Sequence, residues 1–427
     1  MPRVSVIIPV WNLWDMTAAC LRSLAEHSAG GADCADGGLE VLVVDNGSSD
    51  ATAEQLPALG RDLFCKNFKA LRLPQNMGFA IACNAGARAA SGDLLFFLNN
   101  DTRVTRGWLP PLVKALENPK TGATGPLLLY PDGRIQHCGI AVSPFRRLWH
   151  IYEYFPGAHA LPRKQRPLQA ITGAALMVRR KYFFEAGTFF EEYRNGFEDM
   201  DICCALRSRG YALSLTPQSI VVHYTSQTPG RFEADKNNAA LLTRRWGADI
   251  RPDLHSLAAR DGYLLRVGPS LTLWLALREE LEKSLNAELA ERMKAQPSSA
   301  AEFLGQRLAE EPLWLDGHLR LMDLLESRGR RREAISAGLS ALVFFPLPQV
   351  QTRLLRLARR EDMTGEELTP LLRRLAEETD SKAEKFRPVV QAARREARGR
   401  GDTLLTRIMD DWLVRYGSAG VKQRPLP

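Results

Sequence analysis

"DLLFFLNND", Asp93 to Asp101, ends an unbroken apolar run on three polar side chains. Leu94, Leu95, Phe96, Phe97 and Leu98 in succession read as a strand buried on both faces, as in a parallel sheet covered by helices. Asn99, Asn100 and Asp101 then stand where the core stops. An aspartate at a strand end commonly forms a turn or caps a helix. It is also a donor for magnesium or manganese, which take one or two carboxylates and fill the rest of their shell with phosphate oxygens and water.

Outward from that strand, the first half of the chain alternates strand and helix. "VSVIIPV" (Val4–Val10) is a strand, Asp15 to Glu26 a helix, and "LEVLVVD" (Leu39–Asp45) a second strand followed by a helix from Ala51. "KALRLP" makes a third, short strand, and Phe79 to Ala90 is the helix leading into the strand quoted first. Such alternation predicts a mostly parallel sheet with helices on its faces. Ligands of such sheets bind beyond the carboxyl ends of the strands, where Asp45–Asp50 and Asn99–Asp101 both fall. Residues 121–167 are irregular and rich in aromatic side chains. Ile171–Arg180 and Ser219–Tyr224 read as further strands, with a helix from Met200 to Arg209 between them.

After about Trp246, Val, Ile and Gly thin out while Leu, Ala, Arg and Glu dominate, so the second half is expected to be all-α. The predicted division is 1–260 for the α/β domain and 261–427 for the helical one. Ala300 and Ala334, and Pro312 and Pro346, are each 34 residues apart, and Gly329 and Ala341 fall at matching small-residue positions. That spacing points to tetratricopeptide-like repeats around 281–346. The tail from Lys382 to Pro427 is basic, with eleven Lys or Arg against five Asp or Glu.

Of 427 residues, 45% are hydrophobic and 25% charged, ordinary values for a globular chain. A net charge of +8 fits phosphate-bearing ligands or an anionic membrane surface. No nucleic-acid partner is expected. No run approaches the ~20 apolar residues of a transmembrane helix, and the short apolar run of "MPRVSVIIPVWN" is not that of a signal peptide. The seven cysteines show no paired spacing, so a disulfide framework or zinc site is not expected. The expected location is cytoplasmic, with peripheral attachment at the inner face of the membrane through the basic tail as the alternative.

Two further stretches carry chemistry. "NGFEDMDICCALRSRGY" places Glu198, Asp199 and Asp201 at a helix start, where the helix dipole favours negative charge. Three acids in four residues exceed what a cap needs. Phe197 beside them supplies the apolar contact that raises a carboxyl pKa toward that of a general base. "SIVVHY" ends a strand on His223, a side chain suited to metal ligation at that edge.

In order along residues 3–247 stand "VSVIIPVWN", "VVDNGSSDAT", "NMGFAIACNAGARAASGDLLFFLNND", "ITGAALMVRRKYFFEAGTF", "FEDMDICCALRSRGY" and "VVHYTS". This series resembles the family 2 glycosyltransferases, inverting enzymes with a GT-A fold and nucleotide-sugar donors, and above all their bacterial rhamnosyltransferase-like branch in polysaccharide biosynthesis. The resemblance implies a Rossmann-like GT-A domain that transfers a hexosyl or deoxyhexosyl group from a nucleotide-diphosphate donor to a hydroxyl of a saccharide, lipid-linked or protein acceptor. It implies Mn2+ or Mg2+ as cofactor, with Asp101 and His223 as ligands. Pro9, Trp11 and Asp45 would frame the nucleotide base, and Asn76, Gly78, Phe79, Asn99 and Asn100 would lie along the donor. Asp199 would be the catalytic base, with Gly173 and Glu198 on the acceptor side. Two departures stand out: "NND" replaces the family's DxD element, and Thr188 and Phe190 replace the Gly and Asp of a "GGFDE" motif.

Two other readings remain. A nucleotide-sugar-binding scaffold without turnover would work through its helical domain, the surface expected to take a protein partner. A nucleotidyltransferase would need a Gly-rich phosphate loop after the first strand, and "PVWNLWD" supplies none.

Overall fold

The computed structural model describes residues 3–28, 39–225, 234–360 and 383–416. The chain divides into two compact units, Met1–Val142 with Leu148–Arg251, and Ser143–Arg147 with Pro252–Pro427.

In the first unit, β1 (Val4–Val10), α1 (Trp14–His27), β2 (Glu40–Asp45), α2 (Thr52–Phe64), β3 (Phe68–Arg72), α3 (Phe79–Ala89) and β4 (Leu94–Leu98) form the alternating half. β5 (Thr102–Val104), α4 (Leu109–Ala115), β6 (Thr121–Leu129), β7 (Ile135–His137), β8 (Ile140–Val142) and β9 (Leu148–His150) follow. β10 (Ala175–Arg179), α5 (Arg180–Glu185), α6 (Glu198–Ser208), β11 (Ala212–His223) and α7 (Asp235–Trp246) complete the unit. The main sheet runs β3-β2-β1-β4-β10-β6-β11-β5, with β7 paired to β6. β3, β2, β1 and β4 run parallel to one another, as do β6 and β11. β10 runs antiparallel to both β4 and β6.

The strand quoted first is buried throughout, and its alternation sorts its aromatic rings between the two faces. Phe96 packs on Trp108, with ring centroids 5.0 Å apart. Phe97 packs on Phe183 and Phe189 at 4.9 and 4.8 Å. A side chain at Gly86 would place its Cβ 2.5 Å from Ile7 Cγ2, so glycine there lets α3 lie directly on β1. The strand expected from Ile171 starts only at Ala175, and residues 171–174 form a turn at the sheet's edge.

The second unit starts earlier than expected, because α8 (Leu254–Arg260) belongs to it. It is also not wholly helical. β12 (Leu264–Val267) and β13 (Leu273–Ala276) form an antiparallel pair, against an expectation of helix alone, since "LLRV" and "LWLA" are too short to show a period. α9 (Glu279–Ala295), α10 (Ala300–Glu310), α11 (Leu315–Ser327), α12 (Arg331–Phe344) and α13 (Pro348–Arg360) follow. The 34-residue echo has a structural counterpart. Ala300 and Ala334 are both fully buried, and Pro312 and Pro346 each lie in the link between paired helices. α14 (Arg387–Gly399) and α15 (Thr403–Tyr416) occupy most of the basic tail and bury Val390, Met409 and Trp412; its residues 417–427 lie outside the described residues. Trp412 Nε1 donates to the Gly268 carbonyl at 2.8 Å. Among the described residues, no helix is long and apolar enough to cross a membrane. Cys20, Cys83, Cys138, Cys203 and Cys204 are free thiols, whereas Cys65 is in a disulfide, which the spacing of the cysteines did not show.

Candidate active site

A cavity of about 460 Å³ opens at the carboxyl edge of the sheet, within the usual range for a ligand site. It brings together Pro9, Trp11, Asn76, Phe79, Asn99, Asn100, Asp101, Gly173, Glu198, Asp199 and His223, all singled out from sequence. Two others do not line it. Asp45 is buried beneath the edge, with Oδ2 2.6 Å from Arg72 Nη1 and Oδ1 accepting the Ser48 N–H at 2.8 Å. It thus braces the "NGSSD" loop. Gly78, at φ 94°, begins α3, and its carbonyl accepts from Asn46 Nδ2 at 3.2 Å.

One end of the cavity is built by β4, β11 and β7. Asp101 is 7% exposed and His223 4%. Asp101 Oδ1 and His223 Nε2 are 3.1 Å apart. His223 Nδ1 lies 3.0 Å from Gln136 Oε1, an acceptor, so Nδ1 carries the hydrogen. Nε2 then meets Asp101 lone pair to lone pair unless a proton or a cation lies between them. Neighbouring donors around an ion with bonds of about 2.1 Å stand about 3.0 Å apart, the observed spacing. Asn99 Nδ2 lies 3.5 Å from His223 Nε2, and Asn99 Oδ1 is buried with no hydrogen-bond partner among the described residues. Asn100 turns away, its Nδ2 donating to Thr17 Oγ1 at 3.0 Å. The donor set therefore fits a divalent cation held by one carboxylate and one imidazole. No cluster of three or more His, Cys, Asp or Glu occurs among the described residues, so ligand oxygens and water would complete the shell.

The other end is built by the turn before α6. Asn195 and Phe197 adopt φ of 52° and 76°, left-handed values that cost non-glycine residues energy and concentrate at functional sites. The turn sorts the three acids. Asp201 is fully engaged, accepting from Tyr193 Oη at 3.0 Å, Arg245 Nε at 2.6 Å and Trp246 Nε1 at 2.8 Å. Arg245 also lies 3.6 Å over the Phe190 ring, so the departure from the "GGFDE" pattern serves this bracing. Glu198 Oε2 accepts the Gly196 N–H at 2.7 Å. Asp199 alone is held by backbone on both oxygens, from Gly173 at 2.9 Å and Met200 at 2.8 Å. A Cβ on Gly173 would come 3.3 Å from Asp199 Cβ, so the small residue permits the approach.

Five carboxylates line the cavity, Asp101, Glu153, Glu198, Asp199 and Asp235, and no lysine or arginine does so among the described residues. Glu153, Tyr130, Gln136 and His150 were not found from sequence. They lie in the irregular residues 121–167, where only the aromatic density of "WHIYEYF" marked anything. Tyr130 Oη donates to Glu153 at 2.6 Å and its ring stacks on Tyr154. Burial first, and the Glu153 carboxylate next, push the Tyr130 phenol far above its ordinary pKa and keep it a donor.

Parallel strands turned by an antiparallel insertion, with an acidic cavity at their carboxyl ends, make this a GT-A fold. Residues 5–185, less than half of the chain, match the description "Glycosyl transferase family 2". The O-antigen biosynthesis protein RfbC of Myxococcus xanthus is 30% identical over 233 residues, covering 53% of this chain and 17% of that protein. The N-acetylglucosaminyl-diphospho-decaprenol L-rhamnosyltransferase of Mycobacterium tuberculosis (strain ATCC 25618 / H37Rv) is 28% identical over 262 residues, 53% of this chain and 84% of that protein. The crystal structure of GalNAc-T7 with UDP, GalNAc and Mn2+ aligns at a TM-score of 0.47 and 20% identity, over 58% of this chain and 48% of that one. This chain spans only 28% and 17% of the lengths of two curated relatives that it matches.

Proposed function

We propose that the first unit is an inverting glycosyltransferase that moves a hexosyl or deoxyhexosyl group from a nucleotide-diphosphate donor to an acceptor hydroxyl. The acceptor is a saccharide or a lipid-linked saccharide, in keeping with the relatives' printed names. The observation that carries the reading is the acidic cavity. A diphosphate meets carboxylates there and no basic side chain among the described residues, so its binding calls for a cation, and Asp101 with His223 offers the place for one.

A divalent cation at that pair supplies neutralisation of the negative charge that develops on the leaving diphosphate. Asp101 and His223 would hold it, and Gln136 fixes the His223 tautomer. Because the diphosphate departs without needing a proton, no general acid is required, unlike in glycoside hydrolysis. Asp199 takes the proton of the acceptor hydroxyl. The acceptor oxygen forms its bond to the anomeric carbon as the bond to the diphosphate oxygen breaks, its electron pair leaving with the diphosphate. The two backbone N–H groups on Asp199 hold its carboxylate in one orientation for that proton transfer.

The test is nucleoside-diphosphate release from UDP-, dTDP- and GDP-sugars, with manganese and a bacterial lipid extract as acceptor source. Acceptor-dependent release from one donor, abolished in Asp199→Asn, is expected. Tight nucleotide-sugar binding with no release under any condition would favour the scaffold reading instead.

A further inference from the structure

Strand β7 sets two histidines of the cavity through two adjacent side chains. Gln136 pins His223. Its neighbour His137 is fully buried and lies 3.0 Å, Nδ1 to Nδ1, from His150. His150, at the end of β9, lines the cavity; His137 does not.

The protons in this series can be placed by elimination. His137 Nε2 receives the backbone N–H of Thr172 at 3.2 Å. A backbone amide only donates, so Nε2 bears no hydrogen, and a neutral ring then carries its hydrogen on Nδ1. His137 is kept neutral, its pKa driven well below the ordinary value by burial and, beyond that, by His150 and His223. Nδ1–H of His137 therefore donates to Nδ1 of His150, and His150 must keep its own hydrogen on Nε2. The next residue along, Gly173, gives its N–H to Asp199. One turn thus anchors both the proposed base and this histidine series.

We propose that His137 is a positioning residue: through the series Thr172–His137–His150 it fixes His150 as the Nε2–H tautomer, a neutral donor to an oxygen of the bound nucleotide sugar. A neutral donor suits this wall. It grips an oxygen without adding a charge that the neighbouring carboxylates would capture. The ligand in this statement rests on the glycosyltransferase reading, whereas the tautomer does not.

Imidazole 15N spectra of the full-length protein, assigned by single histidine substitutions, read the tautomer directly at neutral pH. The expected result is His150 protonated on Nε2 in the wild type and in His137→Gln, whose amide can accept from Thr172 and donate to His150. His137→Leu should yield a mixture of tautomers. Calorimetry with the tightest of UDP-N-acetylglucosamine, dTDP-rhamnose and GDP-mannose should show roughly tenfold weaker binding for His150→Phe and for His137→Leu. The double variant should be no weaker than either single one, and His137→Gln should stay near wild type. His150 protonated on Nδ1 in the wild type would overturn the relay. An unchanged affinity in His150→Phe would overturn the donor role. If the wild type binds none of the three sugars, the glycosyltransferase reading falls and takes the ligand of His150 with it, while the spectra still decide the relay.

Discussion

The two edges of one sheet treat a buried carboxylate in opposite ways. At the amino edge, Glu40 starts β2 and is 1% exposed. It accepts from Ser5 Oγ, from the Ser91 N–H and Oγ, and from Lys69 Nζ at 2.8 Å. At the carboxyl edge, Asp101 is nearly as buried but faces the imidazole nitrogen of His223 across 3.1 Å, and Asn99 Oδ1 has no hydrogen-bond partner among the described residues. The first carboxylate is saturated and holds three strand starts together. The second is the carboxylate proposed above to hold a cation. Burial alone therefore does not mark a functional acid; what its oxygens meet does.

That contrast can be broken by substitution. The largest expected effect is on turnover. Asp199→Asn should lower the rate of nucleoside-diphosphate release about 10³-fold and leave nucleotide affinity within about twofold, because the amide keeps the shape of the site. Next comes Glu40→Ala, which strands Lys69 and two serines and should cost about 3 kcal/mol of unfolding free energy, read by urea denaturation. Nucleotide affinity should not change, since Glu40 lies at the edge away from the cavity.

The same residue sets a pH signature. Burial works to raise the Glu40 pKa, but hydrogen bonds from Lys69, Ser5 and Ser91 outweigh it and bring it from 4.5 down to about 2. A lowered folded-state pKa stabilises the fold above the unfolded value and loses that contribution as pH falls. The wild type should therefore lose stability between pH 4.5 and about 2, and Glu40→Gln should flatten that part of the profile. A smaller effect belongs to Gln136→Leu. Without the acceptor that fixes His223, apparent manganese affinity should fall about tenfold, read by titrating metal into the nucleotide-bound protein.

Much of this was legible in the sequence, for reasons that can be named. The β4 run and its polar end were readable because a doubly buried strand has no polar residue to blur its boundary. Asp199 and His223 stood out as polar groups where an element starts or ends. Glu40 did not, because "GGLEVLVVD" shows an acid beside a strand and nothing of the two serines and the lysine that converge on it. Asp201 looked equal to Asp199 until Tyr193, Arg245 and Trp246 were seen to enclose it. Gln136 and His150 were hidden because strands of three residues carry no period, and Tyr130 and Glu153 because they lie in the links outside the strands. Asp45 was assigned to the nucleotide base by the family resemblance alone, and in the structure its oxygens meet Arg72 and the Ser48 amide.

The proposed metal site is tested most directly by calorimetric titration of UDP, dTDP and GDP into wild type and Asp101→Ala, each with manganese and with EDTA. One nucleotide should bind the wild type at least a hundredfold more tightly with manganese, and Asp101→Ala should lose this difference while remaining folded. Equal binding with and without metal in both proteins would contradict the assignment of Asp101 and His223 as a metal site.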